Sequence, residues 1–397
     1  MKKLFLLLIL LFPFSVYSLE YPTLNSKRVE IYDLEDQKIL YEIGSQDKVS
    51  IASLTKIATT ITAIESIQNL EETVTITNSI LKTVSWEASV AGLKAGDKLT
   101  YKDLLYASML PSGADATNAI AISISGSVPN FVEKMNEFVK RIGLTNTHFV
   151  NVTGLDENNH YSTLDEVRKL LEYALKNPTF REIYTTKEYQ LTNGKVVKST
   201  LYKYNASSTA LNKILGSKTG YTIDAGYCLS ALSNINGHEV ITIVQNAGKE
   251  YNTYFNLQDT ETLINFLENH YQEEILVENK KLIKTIPIDL SSKEQYKVYS
   301  NQDIKKYLPS DYDKSLIKIK YNGLEQLNYK NHKGDSIGKV LYYYNKELLQ
   351  EQEIILDMKI DLSIQKVIER YYLWIIGTLT IIISTIILII VKKKKRK

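Results

Sequence analysis

The chain has 397 residues, of which 44% are hydrophobic and 23% are charged, with only 7 prolines. This length is enough for two domains with full-sized cores, and the composition is that of a folded globular protein. The formal net charge of +3 includes two lysines near the start and six cations at the end, so residues 19–391 carry −5. A mildly acidic body offers no basic surface for nucleic acid, which excludes that class of partner.

The N-terminus has the pattern of a secretory signal. Met1-Lys2-Lys3 precedes an apolar run from Leu4 to Phe14, and modest-sized residues follow up to Ser18. We predict a signal peptide over residues 1–18, cleaved at about Ser18/Leu19. The alternative is a retained N-terminal anchor, although the apolar run is short for a membrane span.

The C-terminus has the pattern of a membrane anchor. Leu373 to Val391 is an uncharged run of 19 residues, about one bilayer crossing, with aromatic residues at its outer edge. The basic segment Lys392–Lys397 follows directly, which by the positive-inside rule places it in the cytoplasm. We predict a transmembrane helix over residues 371–391, a cytoplasmic tail over residues 392–397 and an extracytoplasmic body. The alternative is a buried core helix.

The predicted elements of the first domain, residues 19–270, run from strands to helices and back to strands. A hairpin of Arg28–Asp33 and Lys38–Ile43 leads into a helix at Ser53. A short strand around residues 73–77 comes next, and Thr100 and Asp103 then predict a capping box on a helix that halts at Pro111. The remaining predictions are helices at 114–123, 128–142, 165–176 and 253–270, a polar loop at 146–165, and strands at 215–220, 226–232 and 239–244. This order predicts an α+β fold, an antiparallel sheet with an inserted helical block.

The composition changes near residue 271. From there to about residue 362, short alternating segments such as Gln295–Tyr299 are separated by turn signals. We predict a small all-β domain over residues 271–362. It contains no cluster of catalytic residue types, so we expect it to be a spacer or pedestal.

Ser53 and Lys56 form the first candidate catalytic pair. A serine and a lysine three residues apart at the start of an apolar helix share one helical face, where the amine can take the hydroxyl proton. The helix N-terminus also favours a developing negative charge. The spacing alone is weak evidence, because four other pairs repeat it: Ser45/Lys48, Ser79/Lys82, Ser315/Lys318 and Ser363/Lys366.

Two further polar positions strengthen the case for Ser53. Ser112 lies at the predicted helix break, and Lys218-Thr219-Gly220 lies on a predicted strand. Each is commonplace alone, but the three together, in this order and on these element types, are specific. Other chemistries have less support. Cys228 is the only cysteine and cannot form an internal disulfide, and the five histidines lack metal-ligand spacing. We predict neither a metal nor a cofactor.

With these motifs, the chain resembles the penicillin-binding proteins and serine β-lactamases, and most closely the low-molecular-mass D-alanyl-D-alanine carboxypeptidases. The resemblance in motifs covers roughly residues 25 to 270. The downstream β domain and the C-terminal anchor also match the domain layout of that family. It rests on four segments: Ala52–Lys56, Leu110–Ala116, Asn146–Asp156 and Lys218–Gly226.

The resemblance implies a β-lactamase/transpeptidase-like fold and a role for each motif. Ser53 would attack the carbonyl between the two terminal D-alanines of a peptidoglycan stem peptide and form an acyl-enzyme, and Lys56 would be the general base. Ser112 would pass a proton to the leaving D-alanine. Lys218, Thr219 and Gly220 would bind the substrate, and the backbone amides of Ser53 and Tyr221 would form the oxyanion hole. β-Lactam antibiotics would acylate the same serine.

Two further expectations concern the pKa of Lys56 and the residues that follow Ser112. Burial and the nearby Lys218 cation are both expected to depress the pKa of Lys56. The family commonly has asparagine two residues after the second-motif serine, whereas this chain has Ala114. Asp115 and Asn118 are nearby polar candidates, and we predict that they are helix-surface or capping residues.

Three alternatives remain open at the level of the sequence. The chain could be a β-lactamase, although it has a β domain and an anchor and shows no clear acidic deacylating base. It could also be a catalytically impaired wall-binding protein, or a membrane-tethered adhesin that penicillin would not label.

Overall fold

The computed structural model describes residues 19–201, 210–250 and 253–394, which divide after Gln272 into two compact units. We call residues 19–272 the N-terminal unit and residues 273–394 the C-terminal unit. The predicted signal peptide, residues 1–18, lies outside the described residues, as do the last three residues of the predicted tail.

The N-terminal unit begins with a β-hairpin. Strands β1 (Arg28–Asp33) and β2 (Lys38–Ile43) pair antiparallel, at the bounds predicted from their alternating sequence. The carboxylate of Asp33 accepts hydrogen bonds from the backbone amides of Glu35 and Asp36, which satisfies two donors of the connecting turn.

A block of seven helices and two small ribbons follows the hairpin. The helices are α1 (Thr55–Ser66), α2 (Asn78–Lys82), α3 (Tyr101–Met109), α4 (Ala114–Ser125), α5 (Val128–Arg141), α6 (Leu164–Leu175) and α7 (Pro178–Thr185). The ribbons pair β3 (Thr73–Thr75) with β4 (Lys98–Thr100), and β5 (Glu188–Gln190) with β6 (Val196–Lys198). Helix α1 is buried from Thr55 to Ala63 and packs against α3, α4, α5, α6 and α7, so it is the central helix of the block.

The helix ends follow from local sequence. The predicted capping box is confirmed at α3, where the Thr100 hydroxyl accepts from the Asp103 amide and the Asp103 carboxylate accepts from the Thr100 amide. Helix α4 ends at Gly126, which adopts a left-handed conformation with φ of +76°. Helices α2 and α7 were missed by the sequence prediction because both are short and their apolar periodicity spans barely two turns.

The chain then returns to the sheet. Strands β7 (Ile214–Thr222), β8 (Gly226–Ile235) and β9 (His238–Ala247) complete a five-stranded antiparallel sheet in the order β2-β1-β9-β8-β7. A two-residue ribbon, β10 (Lys249–Glu250) with β11 (Thr253–Tyr254), precedes α8 (Phe255–His270), which packs on β8 and β9. The sheet interrupted by helices confirms the predicted α+β class.

The C-terminal unit contains eight strands in three small sheets. They are β12 (Tyr271–Val277), which begins at the unit boundary, β13 (Leu282–Asp289), β14 (Gln295–Tyr299), β15 (Ile304–Pro309), β16 (Ile317–Gly323), β17 (Leu327–Asn328), β18 (Ser336–Tyr344) and β19 (Glu347–Ile355). The sheets are β12-β15, β14-β13-β17 and β16-β18-β19. Ile286, Val298, Leu327, Val340 and Leu356 are among the residues of its apolar core.

A single long helix, α9 (Ile364–Lys394), ends the described chain. It is long and apolar enough to cross a membrane over Ile364–Lys392. Its first turns are joined to strand β13 and to the turn after it. Arg370 forms an ion pair with Asp289 at 2.6 Å, and Lys366 forms one with Glu294 at 3.2 Å. These contacts lie just before the predicted membrane span, which begins at residue 371.

Candidate active site

Ser53 and Lys56 lie together at the start of helix α1. Ser53 is in a short 3₁₀ turn, Ala52–Leu54, which runs directly into the helix, and its side chain is half-buried. The Lys56 amine lies 3.1 Å from the Ser53 hydroxyl oxygen, within hydrogen-bond distance. The helical spacing predicted for this pair therefore brings a hydroxyl group and an amine into contact.

Two glycines allow the backbone around Ser53 to pack closely. Gly154 has a φ of +88°, and a side chain there would collide with the carbonyl group of Ala52. A Cβ at Gly220, on strand β7, would lie 2.9 Å from the Ser53 backbone nitrogen. Ala52 itself has a φ of +47°, an unfavourable value for a residue with a side chain. The serine is therefore held between a loop and a strand, with local backbone strain beside it.

The environment of Lys56 favours its neutral form. The side chain is buried, and desolvation lowers the pKa of Lys56 to about 7, while the nearby Asp115 carboxylate opposes this shift. The predicted contribution from Lys218 was wrong, because the charge that acts on Lys56 is that of Asp115. An amine with a pKa near 7 is partly unprotonated at neutral pH, as a general base requires.

The carbonyl oxygen of Thr153 fixes the Lys56 amine, at 2.7 Å. Its loop is held by Asn151, whose side-chain oxygen accepts from the backbone amides of Thr153 and Gly154. His160 anchors the base of the loop. Its Nδ1 accepts from the Val150 amide, so its Nε2–H donates to the Thr55 hydroxyl at 2.8 Å. Burial lowers the pKa of His160 to about 4, which keeps the ring neutral.

Ser112 occupies the break between helices α3 and α4. Its φ is +62°, so this residue also has an unfavourable backbone conformation. Its hydroxyl is buried and has no hydrogen-bond partner within the described part of the chain. Gly113 follows, and a Cβ there would lie 2.7 Å from the Ala91 side chain. The break is therefore packed closely against the segment around Ala91.

Asp115 and Asn118 are not the surface or capping residues that the sequence predicted. Both are buried on helix α4. The Asp115 carboxylate accepts hydrogen bonds from three consecutive backbone amides, those of residues 91–93, at 2.8 to 2.9 Å. The Asn118 amide donates to the carbonyl and hydroxyl oxygens of Thr83. Both residues therefore hold the segment of residues 83–93 in place, a contact between distant parts of the chain that no local pattern reveals.

Strand β7 carries the third predicted motif. Lys218 is completely buried, and its amine donates to the Thr219 carbonyl at 2.8 Å. The Thr219 hydroxyl lies 2.5 Å from that of Thr200, a partner that the sequence did not indicate. Gly220 approaches the Ser53 amide, and the next residue, Tyr221, has a side chain that is 56% exposed. The β7 motif and the Ser53 turn therefore lie next to each other, with Gly220 at the point of closest approach.

The structure thus brings Ser53, Lys56 and Gly220 into direct proximity. Ser112 lies two residues before Ala114, which lines the same cavity as Thr153, the residue whose carbonyl accepts a hydrogen bond from Lys56. The Ser112 hydroxyl itself is hydrogen-bonded to neither Ser53 nor Lys56. The contributions of Thr153, Asp115 and Thr200 were missed, because each depends on tertiary contacts. Among the described residues, no group of three or more metal-ligating side chains is close enough to hold a metal ion.

Comparison with known proteins identifies the class to which this site belongs. A family model described as D-alanyl-D-alanine carboxypeptidase, peptidase family S11, matches residues 16–249, more than half of the chain. The chain belongs to this family of serine-type carboxypeptidases among the penicillin-binding proteins.

Individual relatives agree with this assignment. The chain is 26% identical over 336 residues to the D-alanyl-D-alanine carboxypeptidase DacF of Bacillus subtilis, covering 83% of this chain and 84% of the relative. It is 35% identical over 218 residues to the D-alanyl-D-alanine carboxypeptidase of a Streptomyces species, covering 52% and 75%. The fold is similar to that of PBP3, a peptidoglycan synthesis regulatory factor from Streptococcus pneumoniae. The TM-score is 0.64 at 22% identity, with 86% of this chain and all of that chain covered.

Proposed function

We propose that this protein is a membrane-anchored D-alanyl-D-alanine carboxypeptidase that removes the terminal D-alanine from peptidoglycan stem peptides through an acyl-enzyme on Ser53. One observation carries the proposal. The buried Lys56 amine lies 3.1 Å from the Ser53 hydroxyl, and its pKa is lowered to about 7. This pairing makes a serine nucleophilic without a histidine base.

In the first half-reaction, the neutral Lys56 amine takes the Ser53 proton as the hydroxyl oxygen attacks the carbonyl carbon of the scissile peptide bond. The backbone amides of Ser53 and Tyr221 stabilise the resulting oxyanion. The close approach of Gly220 to the Ser53 amide supports this pairing of amides. The C–N bond then breaks as the Ser112 hydroxyl donates its proton to the nitrogen of the leaving D-alanine. Ser112 takes a proton from the Lys56 ammonium in exchange, so Lys56 is neutral again for the second half-reaction.

In the second half-reaction, water attacks the ester carbonyl of the acyl-enzyme. Lys56 accepts the water proton, the Ser53 oxygen leaves and is reprotonated, and the shortened peptide departs. Lys218 and Thr219 bind the free carboxylate of the substrate, which selects for a C-terminal end. A β-lactam acylates the same serine and departs slowly, so we expect β-lactams to inhibit the enzyme.

We further propose the topology of the mature protein. The signal peptide of residues 1–18 is removed, the catalytic domain of residues 19–270 and the β domain of residues 271–362 lie outside the cell membrane, and residues 371–391 span it. The length and apolar character of α9 support this anchoring. Protease added outside intact spheroplasts is expected to degrade the ectodomain and to leave a tag placed after Lys397 protected. Digestion of that tag would contradict this orientation.

The catalytic proposal is tested by Ser53→Ala with Ser315→Ala as a matched control, since Ser315 begins another serine–lysine pair of the same spacing. Ser53→Ala is expected to abolish labelling by a fluorescent penicillin and to lower D-alanine release from an N-acetylated D-Ala-D-Ala peptide by roughly 10⁴-fold or more. Ser315→Ala should change neither. Labelling that persists in Ser53→Ala would contradict the mechanism, and rapid turnover of a chromogenic β-lactam would indicate a β-lactamase.

A further inference from the structure

The segment that follows strand β6 contains a residue that contacts two parts of the active site. Thr200 is half-buried and lies between Ser199 and Leu201, both of which are buried. Its backbone amide donates to the Leu110 carbonyl at 3.0 Å, and its hydroxyl lies 2.5 Å from that of Thr219. A residue outside the recognised motifs is therefore joined both to the end of helix α3, next to the helix break, and to strand β7.

The β5–β6 ribbon holds Thr200 in place. The Ser199 amide donates to the Lys187 carbonyl at 2.8 Å, which closes the ribbon immediately before Thr200. At the opposite end of the ribbon, the Thr192 hydroxyl donates to the carboxylate of Asp103 in the first turn of α3. The ribbon and the residue that follows it are thus attached to both ends of α3. The position of the Thr200 side chain is therefore set by backbone contacts that do not involve its hydroxyl.

The contact between the two threonine hydroxyls restricts what each can donate. A hydroxyl has one proton and two lone pairs, so only one of two paired hydroxyls donates to the other. If Thr219 donates to Thr200, its proton is no longer available to a ligand. If Thr200 donates to Thr219, the proton of Thr219 remains free for a third group.

The proposed substrate decides between these two directions. Lys218 and Thr219 are adjacent on strand β7, both are buried, and in the proposed function they bind the free carboxylate of the peptide. A carboxylate accepts hydrogen bonds and donates none. Thr219 can therefore contact it only as a donor, and the Thr200 hydroxyl must then be the donor within the threonine pair.

We propose that Thr200 is a positioning residue, which donates its hydroxyl proton to Thr219 and thereby directs the Thr219 proton at the carboxylate of the substrate. The inference rests on the proposed function, because the carboxylate is the group that makes Thr219 a donor. Thr200 acts through Thr219 and needs no contact of its own with the substrate. Hydrogen bonds in such a chain polarise one another, so loss of the first weakens the second.

Two forms of N-acetyl-L-Lys-D-Ala-D-Ala test the proposal, one with a free C-terminal carboxylate and one with a C-terminal amide. With the full-length protein in detergent, Thr200→Val is expected to lower kcat/KM for the free peptide about tenfold, mainly by raising KM. The change for the amidated peptide should be less than about twofold. Thr200→Ala, which also lacks the hydroxyl, should behave in the same way.

Two further variants serve as controls. Thr200→Ser keeps the hydroxyl and should restore kcat/KM for the free peptide to within about twofold of the unmodified protein. Thr192→Val removes a hydroxyl from the opposite end of the same ribbon and should leave the preference for the free peptide unchanged. Thermal unfolding checks that each variant is folded.

A double-mutant cycle separates positioning from a general loss of structure. In a Thr219→Val background, Thr200→Val should lower kcat/KM for the free peptide by less than about a further twofold, because the hydroxyl through which Thr200 acts is absent. Equal losses for the free and amidated peptides, additive effects in the cycle, or a Thr200→Ser variant as impaired as Thr200→Val would each overturn the inference and leave the carboxypeptidase intact. Release from neither peptide by the unmodified protein would overturn both.

Discussion

The two units of the molecule differ in what they bury. In the described part of the N-terminal unit, ten Lys, Arg, Asp or Glu side chains are buried, namely Glu30, Asp33, Lys56, Asp103, Asp115, Asp165, Glu166, Arg168, Lys218 and Asp259. In the described part of the C-terminal unit, Lys306 is the only such residue. The C-terminal unit therefore buries almost no charged side chain in its described part, whereas the N-terminal unit buries many, and each of these is costly to remove from water.

The difference shows that the N-terminal unit is the part of the molecule in which buried charges are held in fixed positions. Burying a charge is unfavourable unless it is paired, and most of these groups have evident partners. Arg168, for example, contacts the carboxylates of Glu30, Asp165 and Glu172 at 2.6 to 3.0 Å. Lys56 differs, because its hydrogen-bond partners are a hydroxyl and a carbonyl and desolvation lowers its pKa. Perturbed groups of this kind often mark catalytic sites.

The largest expected effect in this comparison is that of replacing the buried Lys218. Lys218→Met is expected to lower kcat/KM for a peptide with a free C-terminal carboxylate by about 10²- to 10³-fold, because a charge-assisted contact is lost. For the same peptide with an amidated C-terminus, the loss should be much smaller. Steady-state D-alanine or alaninamide release measures both. Equal losses for the two peptides would contradict a carboxylate-binding role.

A pair of glycines tests how tightly the Ser53 backbone is held. Gly154→Ala should destabilise the N-terminal unit by about 3 kcal/mol, because it combines an unfavourable positive φ with a collision against Ala52. Gly143 has a similar φ of +86° but nothing within 4 Å, so Gly143→Ala should cost only about 1 kcal/mol. Urea unfolding of the two variants measures the difference. Equal costs would show that the contact with Ala52 relaxes easily.

The ionisation of Lys56 predicts a pH dependence. Because its pKa is lowered to about 7, the neutral fraction rises with pH, and the rate of Ser53 acylation should increase about tenfold from pH 6 to pH 8. Stopped-flow acylation by a fluorescent penicillin measures this rate directly. A flat profile over this range would mean that Lys56 does not titrate in it.

The smallest expected effect is in the C-terminal unit. Lys306 forms an ion pair at 3.1 Å with the half-exposed Glu347. Lys306→Met should leave acylation unchanged and alter the unfolding free energy by less than about 1 kcal/mol. Penicillin labelling and urea unfolding of the variant test this. A kinetic defect comparable to that of Lys218→Met would remove the contrast between the units.

Local sequence was enough to predict much of the fold. The hairpin bounds, the capping box of α3 and the helix break at Pro111 follow from period-2 alternation, side-chain capping and backbone restriction, each of which acts within a few residues. The juxtaposition of Ser53 and Lys56 also follows from helical spacing. Helices α2 and α7 were missed because short elements depend on packing more than on their own pattern.

The sequence by itself determined the class of chemistry, because each of its three motifs can be recognised from local structure alone. These motifs are a serine and a lysine on one helical turn, a serine at a helix break, and a lysine on a strand. Tertiary structure decided how those groups are tuned. Burial sets the pKa of Lys56, the Thr153 carbonyl orients its amine, and Asp115 holds a segment more than twenty residues away. These effects depend on desolvation and on contacts between distant residues, which local spacing does not encode.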